Sequence, residues 1–371
     1  MSSAAKSSFA QIHRPLWLAV DGWSVHILDQ TRLPHVVKTL RLRTVDEAAR
    51  AIVTMEVRGA PLIGVTAAYG VALAMRRDAS DASLAAAYDL LIHTRPTAVN
   101  LRWALDQMRS LLQPLPREQR RSAAYARAAE LVEEDVATNR AIGEHGLKIF
   151  RDLLGKKKAG EPLQVMTHCN AGRIATLDWG TATAPMYLAH AAGLPMHVWV
   201  SETRPRNQGA ALTAWELGGR GVPHTLVTDS SCGHLIQRGL VDVVIVGADR
   251  VTARGDAANK IGTYLKALAA QAHRVPFYVA FPGTTIDWAL RDGLAEIPIE
   301  QRNPREVTHL TGLAGNGRPT EVRLVPEGTP ARNDAFDVTP ARLITGFITE
   351  RGVCRASAAG LRRLFRPSAS G

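Results

Sequence analysis

Along the first 43 residues, apolar positions gather in three short runs, PLWLAV, SVHIL and VVKTLRLR, with turn residues such as Asp21-Gly22 between them. Runs of this length predict strands, and their closeness in sequence predicts a small antiparallel sheet. Thr44-Val45-Asp46-Glu47 then matches a capping box, so a helix is expected to about Glu56. VRGAPLIGVTAAYGVALAMRR follows, with Pro61 at a plausible first helical position. Helical periodicity covers about 81–93, 97–113 and 117–154, the last being the longest. Around GKKKAGEP, residues 155–162, the pattern changes. LQVMTHC, MHVWVSE, HTLVTD, VDVVIVGADRV and PFYVAF are now separated by helical stretches. Continuous Val/Ile/Leu strands joined by helices predict a parallel sheet covered on both faces. The expected fold is α/β: a smaller, mainly helical N-terminal domain with a short antiparallel sheet (1–154), then a Rossmann-like parallel-sheet domain with a basic C-terminal tail (155–371).

Composition narrows the function classes. Of 371 residues, 46% are hydrophobic, yet no apolar run approaches the roughly 18 residues of a membrane span. The N-terminal MSSAAKSSFAQIHRP has no apolar core of a signal peptide. Cys169, Cys232 and Cys354 form no even framework, which favours a reducing, cytoplasmic setting. The net charge of +11 raises nucleic acid as a partner, but the basic residues are scattered. The runs Lys156-Lys157-Lys158 and Arg362 to Arg366 are short, and neither builds a base-stacking platform. Neither nucleic acid nor membrane is therefore expected, while a small anionic substrate suits a basic cleft. Arginines number 37 and lysines eight, so an isolated lysine in a motif draws notice.

Candidate chemistry follows from the sheet, because ligands of such folds bind beyond the carboxyl ends of the strands. No GxGxxG follows the first parallel strand and no GxxxxGK[ST] occurs, which removes the main support for dinucleotide or P-loop binding. The strand tips carry Thr167-His168-Cys169-Asn170, Ser201-Glu202-Thr203-Arg204-Pro205, Asp229-Ser230-Ser231 and Gly247-Ala248-Asp249-Arg250. Cys169 is either an inert buried thiol or one whose pKa is altered by its neighbours. Asp249 is either the ion-pair partner of an arginine such as Arg250 or a carboxyl raised by burial for acid–base work. Gly247 beside it leaves room for a ligand. Arg204 and Arg206 could hold a phosphate and Gln208 a sugar hydroxyl, unless that stretch is a charged surface loop. Asn259 and Lys260 read as the first turn of a helix, an anion-friendly corner. Arg58, Gly59 and Ala60 precede Pro61 at another helix start, and Arg95 and Asn100 flank a third. A metal site from His168, Cys169, Cys232 and His234 lacks the usual ligand spacing, so no metal is expected. Signatures of Ser-His-Asp or Cys-His proteases are also missing.

RGAPLIGVTAAYG, TRPTAVNL, THCNAG, ETRPRNQGA, GADRV, GDAANKIGTY and IPIEQRNPREV, in this order and spacing, resemble the methylthioribose-1-phosphate isomerase family from about residue 15 to 353. That family is grouped with ribose-1,5-bisphosphate isomerases and with regulatory subunits of initiation factor 2B, which stand as the alternatives. The resemblance implies a helical N-terminal domain, a Rossmann-like domain and a homodimer. It also implies an aldose–ketose isomerase of methionine salvage, acting on 5-methylthioribose 1-phosphate with neither redox cofactor nor metal. By motif it implies Cys169 and Asp249 as catalytic residues. Arg58, Gly59, Ala60, Arg95, Gln208, Asn259 and Lys260 become substrate contacts. The chain departs from the family at Ala253-Arg254-Gly255-Asp256, where NGD is usual, and at Asp334, where a proline is usual; both departures bear on substrate preference.

Overall fold

The computed structural model describes residues 14–95 and 99–365. The leader reading of the extreme N-terminus, residues 96–98 of the TRPT motif with the helix start expected there, and Arg366 of the basic run lie outside these residues. Strands β1 (Leu16–Leu18), β2 (Val25–Leu28) and β3 (Thr39–Leu42) form an antiparallel sheet in that order. Helices α1 (Val45–Val53), α2 (Ala60–Arg77), α3 (Asp81–Ile92), α4 (Val99–Leu112) and α5 (Arg117–Leu154) follow. Thr44 caps α1 by accepting from the Glu47 N–H, at 3.2 Å. The reciprocal bond of a capping box is displaced by one residue: Glu47 accepts from the Arg43 N–H rather than from that of Thr44. Helix α2 is apolar all round and is accordingly the buried centre of this part, with Leu62, Ile63, Val65, Tyr69, Val71 and Leu73 in one core cluster.

The second part alternates strands and helices: β4 (Leu163–Thr167), α6 (Ala184–Ala191), β5 (Met196–Ser201), α7 (Ala214–Gly219), β6 (His224–Val227), α8 (Ser231–Gln237) and β7 (Val243–Val246). After β8 (Arg250–Thr252) and β9 (Ala257–Lys260) come α9 (Thr263–Ala272), β10 (Phe277–Ala280) and β11 (Ile286–Asp287). The chain ends in β12 (His309–Leu313), β13 (Pro319–Arg323), β14 (Phe336–Thr339), β15 (Gly346–Thr349), β16 (Gly352–Cys354) and α10 (Ala358–Phe365). The main sheet has the order β16-β15-β10-β7-β4-β5-β6, parallel except for β16. Its strands are apolar throughout because both faces are covered. In β4, Val165 packs into one core and Met166 into the other, and in β7 Val243 and Ile245 oppose Val244 and Val246 in the same way.

Three features were not expected. Helix α5 serves both parts: Ala124, Ala128, Leu131 and Val132 lie in the N-terminal core, Ile142 and Phe150 in a core under the parallel sheet. A second sheet, β11-β8-β9-β14, stands beside the first, and β12 and β13 form an exposed hairpin. Among the described residues no helix is long and apolar enough to cross a membrane.

Candidate active site

Strands β4, β5 and β6 proceed to one side of the sheet, whereas β7, β10 and β15 lie on the other side of β4. The β4/β7 border is therefore the topological switch, where connections leave in opposite directions and open a crevice. Cys169 lies two residues past the end of β4 and Asp249 three past the end of β7, so the two candidates emerge on either side of that crevice.

Cys169 has φ 62°, left-handed backbone that a non-glycine residue adopts only when its surroundings impose it. Here they do. The Cys169 N–H donates to Thr203 Oγ1 at 2.8 Å, and its carbonyl accepts from Thr213 Oγ1 at 2.6 Å. Asn170 is held by Arg58, which donates to its carbonyl at 2.9 Å and also to its side-chain oxygen. The Asn170 amide donates to Thr213 Oγ1 at 3.1 Å and Glu216 Oε1 at 3.0 Å. Glu216, fully buried on α7, also accepts from the N–H groups of Arg173 and Ile174 and from the Tyr187 hydroxyl. One carboxylate thus sets the whole turn after β4. His168 is buried with its Nε2–H donating 2.8 Å to the Ile261 carbonyl; it faces away from the chemistry as a support.

The loop 203–208, between β5 and α7, is gathered by Asp229, which accepts from the N–H groups of Thr203 at 2.9 Å and Arg204 at 2.7 Å. This presents Gln208 to the crevice. Arg204 and Arg206 do not line it: Arg204 donates to the Val307 carbonyl and Arg206 pairs with Glu306, which favours the charged-loop alternative over the phosphate one. Gly247 lines the cleft, as expected of a residue that leaves room for a ligand, and it has a second use. A Cβ there would lie 2.7 Å from the Ala171 Cβ, so the glycine also lets the β4 turn pack on the end of β7.

Asn259 and Lys260 end strand β9; the expected helix begins only at Thr263. Four residues of β9 pair with β14, and this non-local ladder overrides the helical look of GDAANKIG. Asn259 donates to Thr263 Oγ1 at 3.0 Å, while Lys260 donates to the Ala335 carbonyl at 2.8 Å and lies 4.4 Å from the centre of the Phe336 ring. From the N-terminal part come Gly59 and Ala60 at the start of α2, and Arg95, which pairs with Glu300 at 3.2 Å.

These residues meet in one cleft with about 1080 Å³ of empty space, counted to its open mouth. Arg58, Gly59, Ala60, Arg95, Cys169, Gln208, Asp249, Asn259 and Lys260 all line it. Sequence reasoning missed the apolar part of the wall: Met55 and Ile63, which flank Arg58 to Ala60, and Ile297, Pro298 and Phe336 from segments far along the chain. It also missed Glu216, whose one signal was a lone carboxylate in the apolar stretch TAWELG.

Burial pushes the Cys169 thiol up, opposed by the positive charges of Lys260 and Arg58. Burial also raises the Asp249 carboxyl, against Lys260, Arg95 and Arg58, with Glu300 adding to the rise. Arg250 pairs with Asp287 at 3.4 Å. A raised carboxyl beside a thiol, inside a ring of cations, can protonate a bound anion's oxygen and move a proton at an adjacent carbon. Among the described residues, no group of three or more His, Cys, Asp or Glu side chains is arranged to hold a metal.

A family model described as the initiation factor 2 subunit family matches residues 56–356. The chain is 62% identical over 355 residues to a methylthioribose-1-phosphate isomerase of Rhodospirillum centenum, covering 95% of this chain and 94% of that protein. It is 61% identical over 353 residues to one of Rhizobium meliloti, covering 95% and 97%. The solved 5-methylthioribose 1-phosphate isomerase of Pyrococcus horikoshii superposes with a TM-score of 0.81 at 36% identity, over 97% of this chain and 98% of that one. The structure described as translation initiation factor eIF-2B, subunit delta, from A. fulgidus gives 0.77 at 37% identity, over 95% and 98%.

Proposed function

The chain belongs to the initiation factor 2 subunit family and, within it, to the methylthioribose-1-phosphate isomerases; from that premise we propose that it converts 5-methylthioribose 1-phosphate to 5-methylthioribulose 1-phosphate in methionine salvage. The observation that carries the reading is the opening of Cys169 and Asp249 onto one cleft, from the two sides of the switch, amid Arg58, Arg95 and Lys260.

The chemistry begins from a difficulty. A 1-phosphate locks the sugar ring, so no free aldehyde is available and the ring oxygen needs a proton before the ring opens. Asp249, whose carboxyl is raised by burial, acts in its protonated form as the acid at that oxygen or an adjacent hydroxyl. A proton then passes from C2 to C1 through an enediol, and Cys169 carries it or steadies the charge that develops on oxygen. Arg58, Arg95, Asn259 and Lys260, with the N–H groups at Gly59 and Ala60, hold the phosphate side, and Gln208 holds a sugar hydroxyl. Met55, Ile63, Ile297, Pro298 and Phe336 offer an apolar wall for the methylthio end. A second phosphate, as in ribose 1,5-bisphosphate, would need a second cluster of cations there. The same reading carries a cytoplasmic homodimer, for which sedimentation of the purified chain is the check; Cys169, Cys232 and Cys354 as free thiols suit that compartment.

The test is turnover of both sugar phosphates by the purified protein in deuterated water. The proposal expects turnover of the methylthio sugar with deuterium at C1 of the product. Turnover of neither sugar rejects the isomerase reading, and turnover without any deuterium rejects the enediol route in favour of a hydride shift.

A further inference from the structure

The segment from Ile297 to Val307 borders the cleft, and none of its charged side chains is among the residues that line it. Ile297 and Pro298 line the cleft itself. Beyond them, Glu300 reaches Arg95 in the N-terminal part, with Oε2 at 3.2 Å from Nη2. Its other oxygen accepts from Arg302 Nη1 at 2.8 Å. Arg302 turns its remaining nitrogens to Glu306, from 2.8 to 3.1 Å, and Glu306 accepts from Arg206 Nη1 at 2.6 Å. Five charges of alternating sign thus run from one wall of the cleft to the loop that bears Gln208 on the other. The ladder has a firm base: the Asn333 amide donates to Glu306 Oε2 at 2.9 Å, and the Glu300 carbonyl accepts from the Ala335 N–H at 2.9 Å.

Arg95 stands at the far end of this ladder on a long, flexible side chain. Among the described residues its buried Nε–H has no partner, and Glu300 is the carboxylate that pairs with it. An arginine meant to meet an anion must be held with some donors spent and others spare. Glu300 does this by taking Nη2 alone. An ordinary surface ion pair would contribute little, but both side chains here are largely buried, at 14% and 23% exposure, and one of them faces the cleft.

We propose that Glu300 is a positioning residue: it fixes the Arg95 guanidinium over the cleft so that its free donors meet the substrate's anionic group. The proposal rests on the isomerase reading for its ligand. Arg302 and Glu306 hold Glu300 in place in turn, so the strap and Arg95 act as one unit.

The experiment is a double-mutant cycle of Glu300→Gln and Arg95→Gln, read as binding of 5-methylthioribose 1-phosphate by calorimetry. Cys169→Ser protein is used so that no turnover intervenes. Glu300→Gln should weaken binding about tenfold with Arg95 present and no more than about twofold when Arg95 is already Gln, since residues that act through one another are non-additive. Glu300→Asp, which keeps the charge, should recover most of the loss. Melting temperatures identify a variant that has merely lost its fold, and in that case KM in the otherwise wild-type enzyme with Glu300→Asp supplies the comparison. Equal losses in both backgrounds, or an unchanged affinity in Glu300→Gln, overturn the proposal and leave the isomerase reading standing. If protein with both residues intact binds no sugar phosphate, the isomerase reading falls and this proposal falls with it.

Discussion

The side-chain amide of Asn170 donates to Glu216 at 3.0 Å, joining the turn that bears Cys169 to helix α7 through a carboxylate with no solvent exposure. Four donors converge on Glu216: that amide, the N–H groups of Arg173 and Ile174, and the Tyr187 hydroxyl. Glu216→Gln keeps the shape but places an NH₂ against some of these donors. The expected cost is about 3 kcal/mol of stability, because buried donors lose their acceptor. Thermal melting checks this. Activity should fall as well, because the turn carries Cys169 and its Asn170 is bonded to Arg58 on the proposed phosphate side.

The raised Asp249 carboxyl gives a pH dependence of definite sign. On the proposed mechanism the acid form is the active one, so kcat is expected to fall as pH rises through the native pKa. Stability follows the same sign. The native state holds this proton more tightly than the unfolded chain, so the contribution is complete below the ordinary carboxylate range and is lost as pH rises through the native value. Asp249→Asn should therefore lose about 10²–10⁴-fold in kcat while gaining melting temperature relative to wild type at alkaline pH. A variant that gains at acid rather than alkaline pH would show the sign to be wrong.

Legibility in the sequence followed the range of the forces involved. The parallel sheet could be read because strands covered on both faces are apolar throughout, as Val243 to Val246 are. Cys169 and Asp249 could be placed at strand ends for the same reason. Asn259 and Lys260 were misassigned to a helix because β9 exists only through its pairing with β8 and β14, the latter more than 70 residues away in the chain. The choice left open for Arg204 and Arg206 could not be made from sequence for a similar reason, since their partners Val307 and Glu306 lie about a hundred residues on. Cysteine, aspartate and lysine stand out in a string of letters. The loop geometry that turns one arginine inward and another onto a strap does not.

Gly59 has φ 96°, and a Cβ built there would sit 2.3 Å from the Ala175 carbonyl and 2.7 Å from the Ala175 Cβ. This is where the first turn of α2 meets the segment after Cys169 across the cleft. Gly59→Ala should cost about 3 kcal/mol through backbone strain and overpacking together. The separation forced between α2 and residue 175 also widens the cleft, so kcat/KM should fall further than the stability loss accounts for. Activity measured well below the melting temperature distinguishes the two effects. Wild-type activity there would mean that the close approach has no part in the site.

Lys260 is the strongest charge acting on both proposed catalytic groups, lowering Cys169 and Asp249 alike while burial opposes it. Its own ammonium is pushed down by burial, yet the Ala335 carbonyl and the face of Phe336 hold it in place. Lys260→Met keeps the stem against the ring and removes the charge. Both pKa values should then rise, because the largest opposing charge is gone while burial still acts on each, with Asp249 adding to the rise at Cys169 and Glu300 to that at Asp249. The alkaline limb of the kcat profile should move to higher pH, and alkylation of Cys169 by iodoacetamide at a fixed pH should slow; Cys232 and Cys354 are buried and serve as internal controls. Glu300→Gln removes a negative charge that raises the same Asp249 carboxyl, so its alkaline limb should move the other way. Opposite shifts from the two variants identify Asp249 as the titrating acid, whereas shifts of one sign would assign the limb to a different group.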